Sequence, residues 1–115
     1  DLLASESRIL SYVAMMLGQV EPKHFRRLAR PCVRLGGEQA LVSWSGTMFE
    51  YLMPELFMRS RPGTLLYETN HAVARLQRRL GEARQRPWGV SESGYYAFDM
   101  HLNYQYIGKL QNIMI

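Results

Sequence analysis

Apolar residues recur at three- and four-residue spacing through three long stretches of this chain, and each stretch predicts a helix. The first, 2–17, is rich in Leu, Ala and Met, has no internal Gly or Pro, and meets Gly18 at its end. Leu2, Ile9, Leu10, Val13 and Met16 share one face of it. Glu6 falls inside that face, four residues after Leu2 and three before Ile9, where an unpaired carboxylate is costly to bury. The second helix, 47–58, contains Pro54, which predicts a kink or a split into two. The third, 65–84, follows the turn Arg61-Pro62-Gly63 and an N-cap at Thr64. Leu65, Leu66, Thr69, Ala72, Val73, Leu76 and Leu80 form its inner face, and Arg75, Arg78, Arg79 and Glu82 point outward. Leu2, Ile9, Leu10, Val13, Leu52, Leu56, Leu66, Val73, Leu76 and Leu80 are expected to make one core between the three helices.

Shorter elements fill the gaps. Residues 22–29 read as a brief basic helix opened by Pro22 and stopped by Pro31. Arg34–Leu35 and Leu41–Ser43 read as paired strands around Gly36-Gly37, with Trp44 leaving the second strand. A last short helix is expected from after Ser93 to about Asp99. The fold class is therefore mainly α, built of helical hairpins with one short β-hairpin.

Composition narrows the picture. With 115 residues, 47% of them hydrophobic and 21% charged, the chain is one soluble domain at most. The net charge of +4 gathers at 23–34 and 75–86, as solvated helix faces do. The aromatics lie away from these runs, so nucleic acid is not an expected partner. The apolar run 13–17 is far short of the ~20 residues of a membrane span, and no leader pattern is visible. Cys32, the single cysteine, excludes an internal disulfide, fits a reducing compartment, and reads as a small buried residue. His24, His71 and His101 have no metal-ligand spacing, no glycine-rich phosphate loop is present, and no cofactor is expected. Ser45 does not sit in an esterase motif.

Candidate chemistry concentrates at 88–106, where Glu92 and Asp99 lie among aromatic rings. Sugar sites combine these features, because pyranose rings stack on aromatic faces while carboxylates bond their hydroxyls. Four acids fall in apolar or aromatic surroundings: Glu6, Glu50, Glu92 and Asp99. Ser91, Ser93 and Tyr95 can hold Glu92 by hydrogen bonds, and a capping-box acid is the plainer alternative. A carboxyl on an apolar face, such as Glu6, suits acid catalysis, and a buried ion pair with an arginine is equally open. Glu50 reads as a substrate-binding acid with Trp44 and Tyr51 as stacking surfaces, or as a structural acid satisfied by backbone or by an arginine. Asp99 and Asn103, four apart, would share a helix face and could bond sugar hydroxyls. Trp88, Tyr95 and Tyr96 are rings under glucose or core.

Four stretches in order carry a resemblance: DLLASESR at 1–8, LVSWSGTMFEYLMPELFMRS at 41–60, PGTLLYET at 62–69 and WGVSESGYYAFDMHLNYQY at 88–106. Together they resemble the glycoamylase-like domain of bacterial cyclic β-1,2-glucan synthases, over residues 1 to about 106. The last nine residues depart from that family. The resemblance implies an (α/α) barrel, a ring of roughly twelve helices of about a dozen residues each. A chain of 115 residues cannot supply that ring, so it looks like a fragment of a larger (α/α)6 domain. The resemblance further implies retaining transglycosylation of a β-glucan oligosaccharide or polysaccharide. The family's catalytic glutamates fall in its ASE and SES motifs, here Glu6 and Glu92, with Glu92 assigned as nucleophile and Glu6 as general acid/base; the reverse stays open. The two carboxyls are then expected about 5–5.5 Å apart, or further if a hydroxyl or water relays the proton. Partners implied are the remaining domains of a larger protein or further copies of the chain, at the cytoplasmic face of the inner membrane. The alternative is a non-catalytic truncated helical protein or interaction module.

Overall fold

The molecule, seen in a computed structural model, is built on contacts between the long helix near its C-terminal half and a β-hairpin that precedes it in sequence. The structure describes residues 1–91, 94–98 and 100–106, with 94–98 and 104–106 described by backbone alone. In chain order the elements are α1 (Arg8–Met16), α2 (Lys23–Arg27), β1 (Cys32–Leu35), β2 (Glu38–Leu41), α3 (Met48–Leu52), a 3-10 turn (Met53–Leu56), α4 (Leu65–Ala83), β3 (Gly94–Phe98) and β4 (Tyr104–Tyr106). The described residues are thus mostly helical, with four α-helices and no closed ring of helical hairpins.

The first predicted helix begins late. Residues 1–3 run beside Ala29, with the Leu3 amide donating to the Ala29 carbonyl (2.9 Å) and the Ala29 amide to the Asp1 carbonyl (2.9 Å). Backbone committed to that pairing cannot also enter a helix. α1 ends as expected: Gly18 takes φ +70°, the Gly18 amide bonds the Met15 carbonyl, and the Gln19 amide bonds the Ala14 carbonyl, a Schellman closure. Pro54 splits the second predicted helix into α3 and the 3-10 turn, because it has no N–H to continue the ladder.

The hairpin forms around Gly36-Gly37, with Leu35 opposite Glu38 and Cys32 opposite Leu41. Both glycines have positive φ, +54° and +80°, as a two-residue turn of this kind demands. The second strand starts directly after Gly37, three residues earlier than the pattern predicts. α4 then clamps the hairpin. Arg75 donates from Nε and Nη2 to both Glu38 oxygens (2.9 and 2.8 Å), and Arg79 donates to Glu38 Oε1 (2.6 Å) and to the Gly36 carbonyl (2.7 Å). The outward arginines of α4 therefore hold a strand as well as facing water. The hydrogen bond from Arg75 holds the Glu38 carboxyl below its ordinary pKa.

The core is smaller than the one expected and differently placed. Leu3, Ala4, Leu28, Ala40, Leu41, Met48, Tyr51, Ala72 and Val73 are buried together, with Phe25, Leu66 and Ala74 packed against them. Of the ten residues expected inside, only Val73 is fully buried. Leu2, Ile9, Leu66, Leu76 and Leu80 are half-buried, and Leu10, Val13, Leu52 and Leu56 are exposed. The small residues Ala4, Ala40 and Ala72 bring the N-terminal turn, β2 and α4 together, which leaves α1 at the margin. Cys32 is exposed on the outer edge of β1, correcting the buried reading. The predicted last helix is also corrected. Residues 94–98 form β3, antiparallel to β4, with Gly94 opposite Tyr106 and Phe98 opposite Tyr104. Consecutive aromatic residues favour extended backbone, and an aromatic-rich partner strand follows within reach.

Candidate functional site

The loop 43–47 joins β2 to α3 and folds over a single carboxylate. Gly46 takes φ +74°, which turns the chain into the helix, and Thr47 and Glu50 occupy the N-cap and N3 positions of a capping box. Glu50 is only 2% exposed. Its Oε1 accepts from the amides of Trp44 (2.9 Å) and Ser45 (3.2 Å). Its Oε2 accepts from Ser45 Oγ (2.7 Å), Ser43 Oγ (2.9 Å), the Ser45 amide (3.0 Å), the Thr47 amide (3.2 Å) and Thr47 Oγ1 (3.3 Å). Burial pushes this carboxyl up in pKa, but the donations from Ser45, Ser43 and Thr47 outweigh it and leave it below the ordinary value. Glu50 is thus an anion that organises its own loop.

Tyr51 is equally buried. Its hydroxyl donates to the Leu41 carbonyl (2.9 Å) and accepts from the Ser43 amide (3.1 Å), so it rivets the end of β2 to the loop. Burial raises its pKa above the ordinary phenol value. Its ring faces the core, whereas Trp44 (67% exposed) and Trp88 (50% exposed) present theirs to solvent.

Arg8 completes the frame, and no local pattern in the sequence singles it out. It is 1% exposed. Nη1 donates to the carbonyls of Ser5 and Glu50 (both 3.0 Å), Nη2 donates to the Tyr51 carbonyl (2.9 Å), and Glu55 Oε1 stands 4.0 Å away. Burial lowers its pKa despite the nearby carboxylates of Glu55 and Glu6. The guanidinium takes carbonyls that α3 leaves open at its end, which couples the N-terminal turn to the helix beneath the loop. Ser43, Ser45 and Thr47 were also missed as a set, although the spacing of Thr47 and Glu50 is a recognisable capping signature.

Glu6 lies in the turn before α1, half-buried, and accepts from Ser5 Oγ (3.2 Å). The segment leading to Glu92 docks on the same unit from the other side: the Met48 amide donates to the Val90 carbonyl (2.9 Å), and Gln77 Nε2 to the Gly46 carbonyl (3.2 Å). Glu92 and Asp99, and the side chains of Tyr95 and Tyr96, lie outside the described residues, and so does the expected approach of Glu6 to Glu92. Asn103 is exposed just before β4 and not on a helix, and the helix face expected to pair it with Asp99 lies outside the described residues at Asp99. Among the described residues, no three His, Cys, Asp or Glu side chains are grouped to hold a metal, and no helix is long and apolar enough to cross a membrane.

With this geometry in place, comparison with characterised proteins adds a class and a relative. The chain is homologous to a small part of a cyclic β-(1,2)-glucan synthase. That relative is the cyclic β-(1,2)-glucan synthase NdvB of Rhizobium meliloti (strain 1021), 48% identical over 106 residues, which are 92% of this chain and 4% of the synthase. No protein-family model matches the chain.

Proposed function

We propose that this chain is a segment of a glycoamylase-like, (α/α) barrel-type domain that rearranges β-1,2-glucan by retaining transglycosylation. Glu92 is the nucleophile and Glu6 the general acid/base. The observation that carries this reading is the 48% identity to part of a cyclic β-(1,2)-glucan synthase. Chain geometry supports it. Arg8, two residues after Glu6, bonds the carbonyls of Glu50 and Tyr51, and Val90, two residues before Glu92, accepts from the Met48 amide. The segments that carry Arg8 and Val90 thus both contact α3 and the loop before it. Trp44 and Trp88 serve as sugar-stacking surfaces, joined by Tyr95, Tyr96, Asp99 and Asn103, while Glu50 and Tyr51 fix the loop that carries Trp44.

In this mechanism Glu92 attacks the anomeric carbon as Glu6 protonates the departing glycosidic oxygen. Glu6 then removes the proton from the incoming glucan hydroxyl, which displaces Glu92. The test is transfer between β-1,2-linked glucooligosaccharides by the intact protein, read as the product chain-length distribution. Glu92→Gln should abolish transfer with glucan binding and circular dichroism unchanged. Glu6→Gln should slow it by roughly 10²–10⁴-fold. Full activity in Glu92→Gln would overturn the assignment, and Asp99 would be the next residue to substitute. A second reading, a non-catalytic interaction module, is favoured by the exposure of Leu10, Met16, Leu17, Leu56 and Phe57; it predicts no transfer from the unsubstituted protein.

A further inference from the structure

A cavity of about 580 Å³ opens where α1, α2 and the turn into α4 meet, with none of residues 43–47 in its lining. Its lining joins three aromatic rings, Tyr12, Phe25 and Phe57, to the arginines Arg8, Arg30, Arg59 and Arg61, and no carboxylate lines it. Two of the arginines are already engaged. Arg8 is spent on backbone carbonyls, and Arg30 donates to the carbonyls of Arg26, Leu28 and Phe25. Arg59 and Arg61 are different: both are exposed, and among the described residues neither has an ion-pair partner. Phe57, in the same lining, is 72% exposed.

Guanidinium groups without ion-pair partners and aromatic rings in one lining suit one kind of occupant. A neutral sugar leaves the two positive charges without a counter-charge, and an inorganic anion leaves the rings wet. An organic anion satisfies both, because guanidinium forks match the oxygens of phosphate and flat rings pack on Phe. The volume lies within the range of small-molecule sites, about 300–1,000 Å³. We propose that this cavity binds a small organic phosphate with a flat, apolar body. The phosphate is held by Arg59 and Arg61, and the body lies against Phe25 and Phe57. This site is independent of the glucan reading.

Phenyl phosphate is the probe, with inorganic phosphate and phenol as its two halves, titrated calorimetrically into the protein. Phenyl phosphate should bind at least about tenfold more tightly than either half. The double substitution R59A/R61A should weaken it by about tenfold or more, since two charge-assisted contacts are lost. Neither side chain makes a hydrogen bond within the described fold, so the circular dichroism should be unchanged. F57A should bring phenyl phosphate down toward inorganic phosphate. Equal binding of phenol and phenyl phosphate, or unchanged affinity in R59A/R61A, would overturn the proposal.

Discussion

At the scale of single residues, two buried charges define this protein. Arg8 bonds the backbone carbonyl of Glu50 but not its carboxylate; the guanidinium is satisfied mainly by carbonyls and the carboxylate by amides and hydroxyls. Such an arrangement makes Glu50 sensitive to acid. Its folded pKa lies below the ordinary value of 4.5, so its stabilisation is fully present above that pH and is lost as pH falls through the folded pKa. Glu50→Gln removes the charge and places an amide nitrogen against donors. It should cost about 2–3 kcal/mol at neutral pH and flatten the loss of stability below about pH 4.5. Urea midpoints at three pH values would measure both effects, and a variant with an unchanged acid limb would mean that other carboxylates govern it. Half of this was legible. The reading of Glu50 as a structural acid satisfied by backbone was open from the sequence, but the Thr47–Glu50 capping box went unread, and the serines that close around it come from a loop whose path depends on Gly46. Arg8 was not legible at all, because the carbonyls it bonds lie more than forty residues away in sequence.

At the scale of elements, backbone conformation at a few positions decides where each begins and ends. Gly37 at φ +80° and Gln85 at φ +51° make a contrasting pair. Gly37→Ala should cost about 1–2 kcal/mol, since a Cβ is strained there even though nothing lies within 4 Å of its position. Gln85 holds the left-handed position of a Schellman closure on α4, with the Arg86 amide on the Gly81 carbonyl and the Gln85 amide on the Glu82 carbonyl. Gln85→Gly should therefore stabilise the chain by about 0.5–1 kcal/mol. Thermal melts of the two variants should move in opposite directions. Gly81 matters for a different reason: a Cβ there would stand 2.8 Å from the Arg86 carbonyl oxygen and 3.1 Å from Trp88 Cβ. Gly81→Ala should push the 86–90 segment off α4, seen as faster hydrogen exchange at the Met48 amide, whose acceptor is the Val90 carbonyl. Unchanged exchange would show that the segment is held elsewhere.

At the scale of the whole molecule, the buried set is centred on the hairpin and α4, and α1 contributes little to it. Val73→Ala should therefore cost about 2 kcal/mol, while Leu10→Ser and Leu56→Ser should stay within about 0.5 kcal/mol. Chemical denaturation of the three variants checks this directly, and a large loss at Leu10 would mean that its helix face is covered in solution. The exposed apolar residues along α1 and the 3-10 turn accord with a chain that matches 4% of a much longer protein.

The sequence by itself determined the elements whose signals are local. Gly36-Gly37 specified the tight hairpin, Gly18 the end of α1, Pro54 the break after α3, and the unbroken periodicity of 65–83 the long helix. Each depends on φ preferences or on residues three or four apart, which a short window contains. Tertiary structure alone decided which apolar face is buried, and it chose small residues on β2, α4 and the N-terminal turn over the larger leucines of α1. It also turned 94–98 into a strand by supplying a partner at 104–106, and it buried Arg8 by bringing the end of α3 beneath it. Periodicity reports that a face is apolar. What covers that face, and which distant carbonyl meets a charge, depends on chain paths that no local window holds.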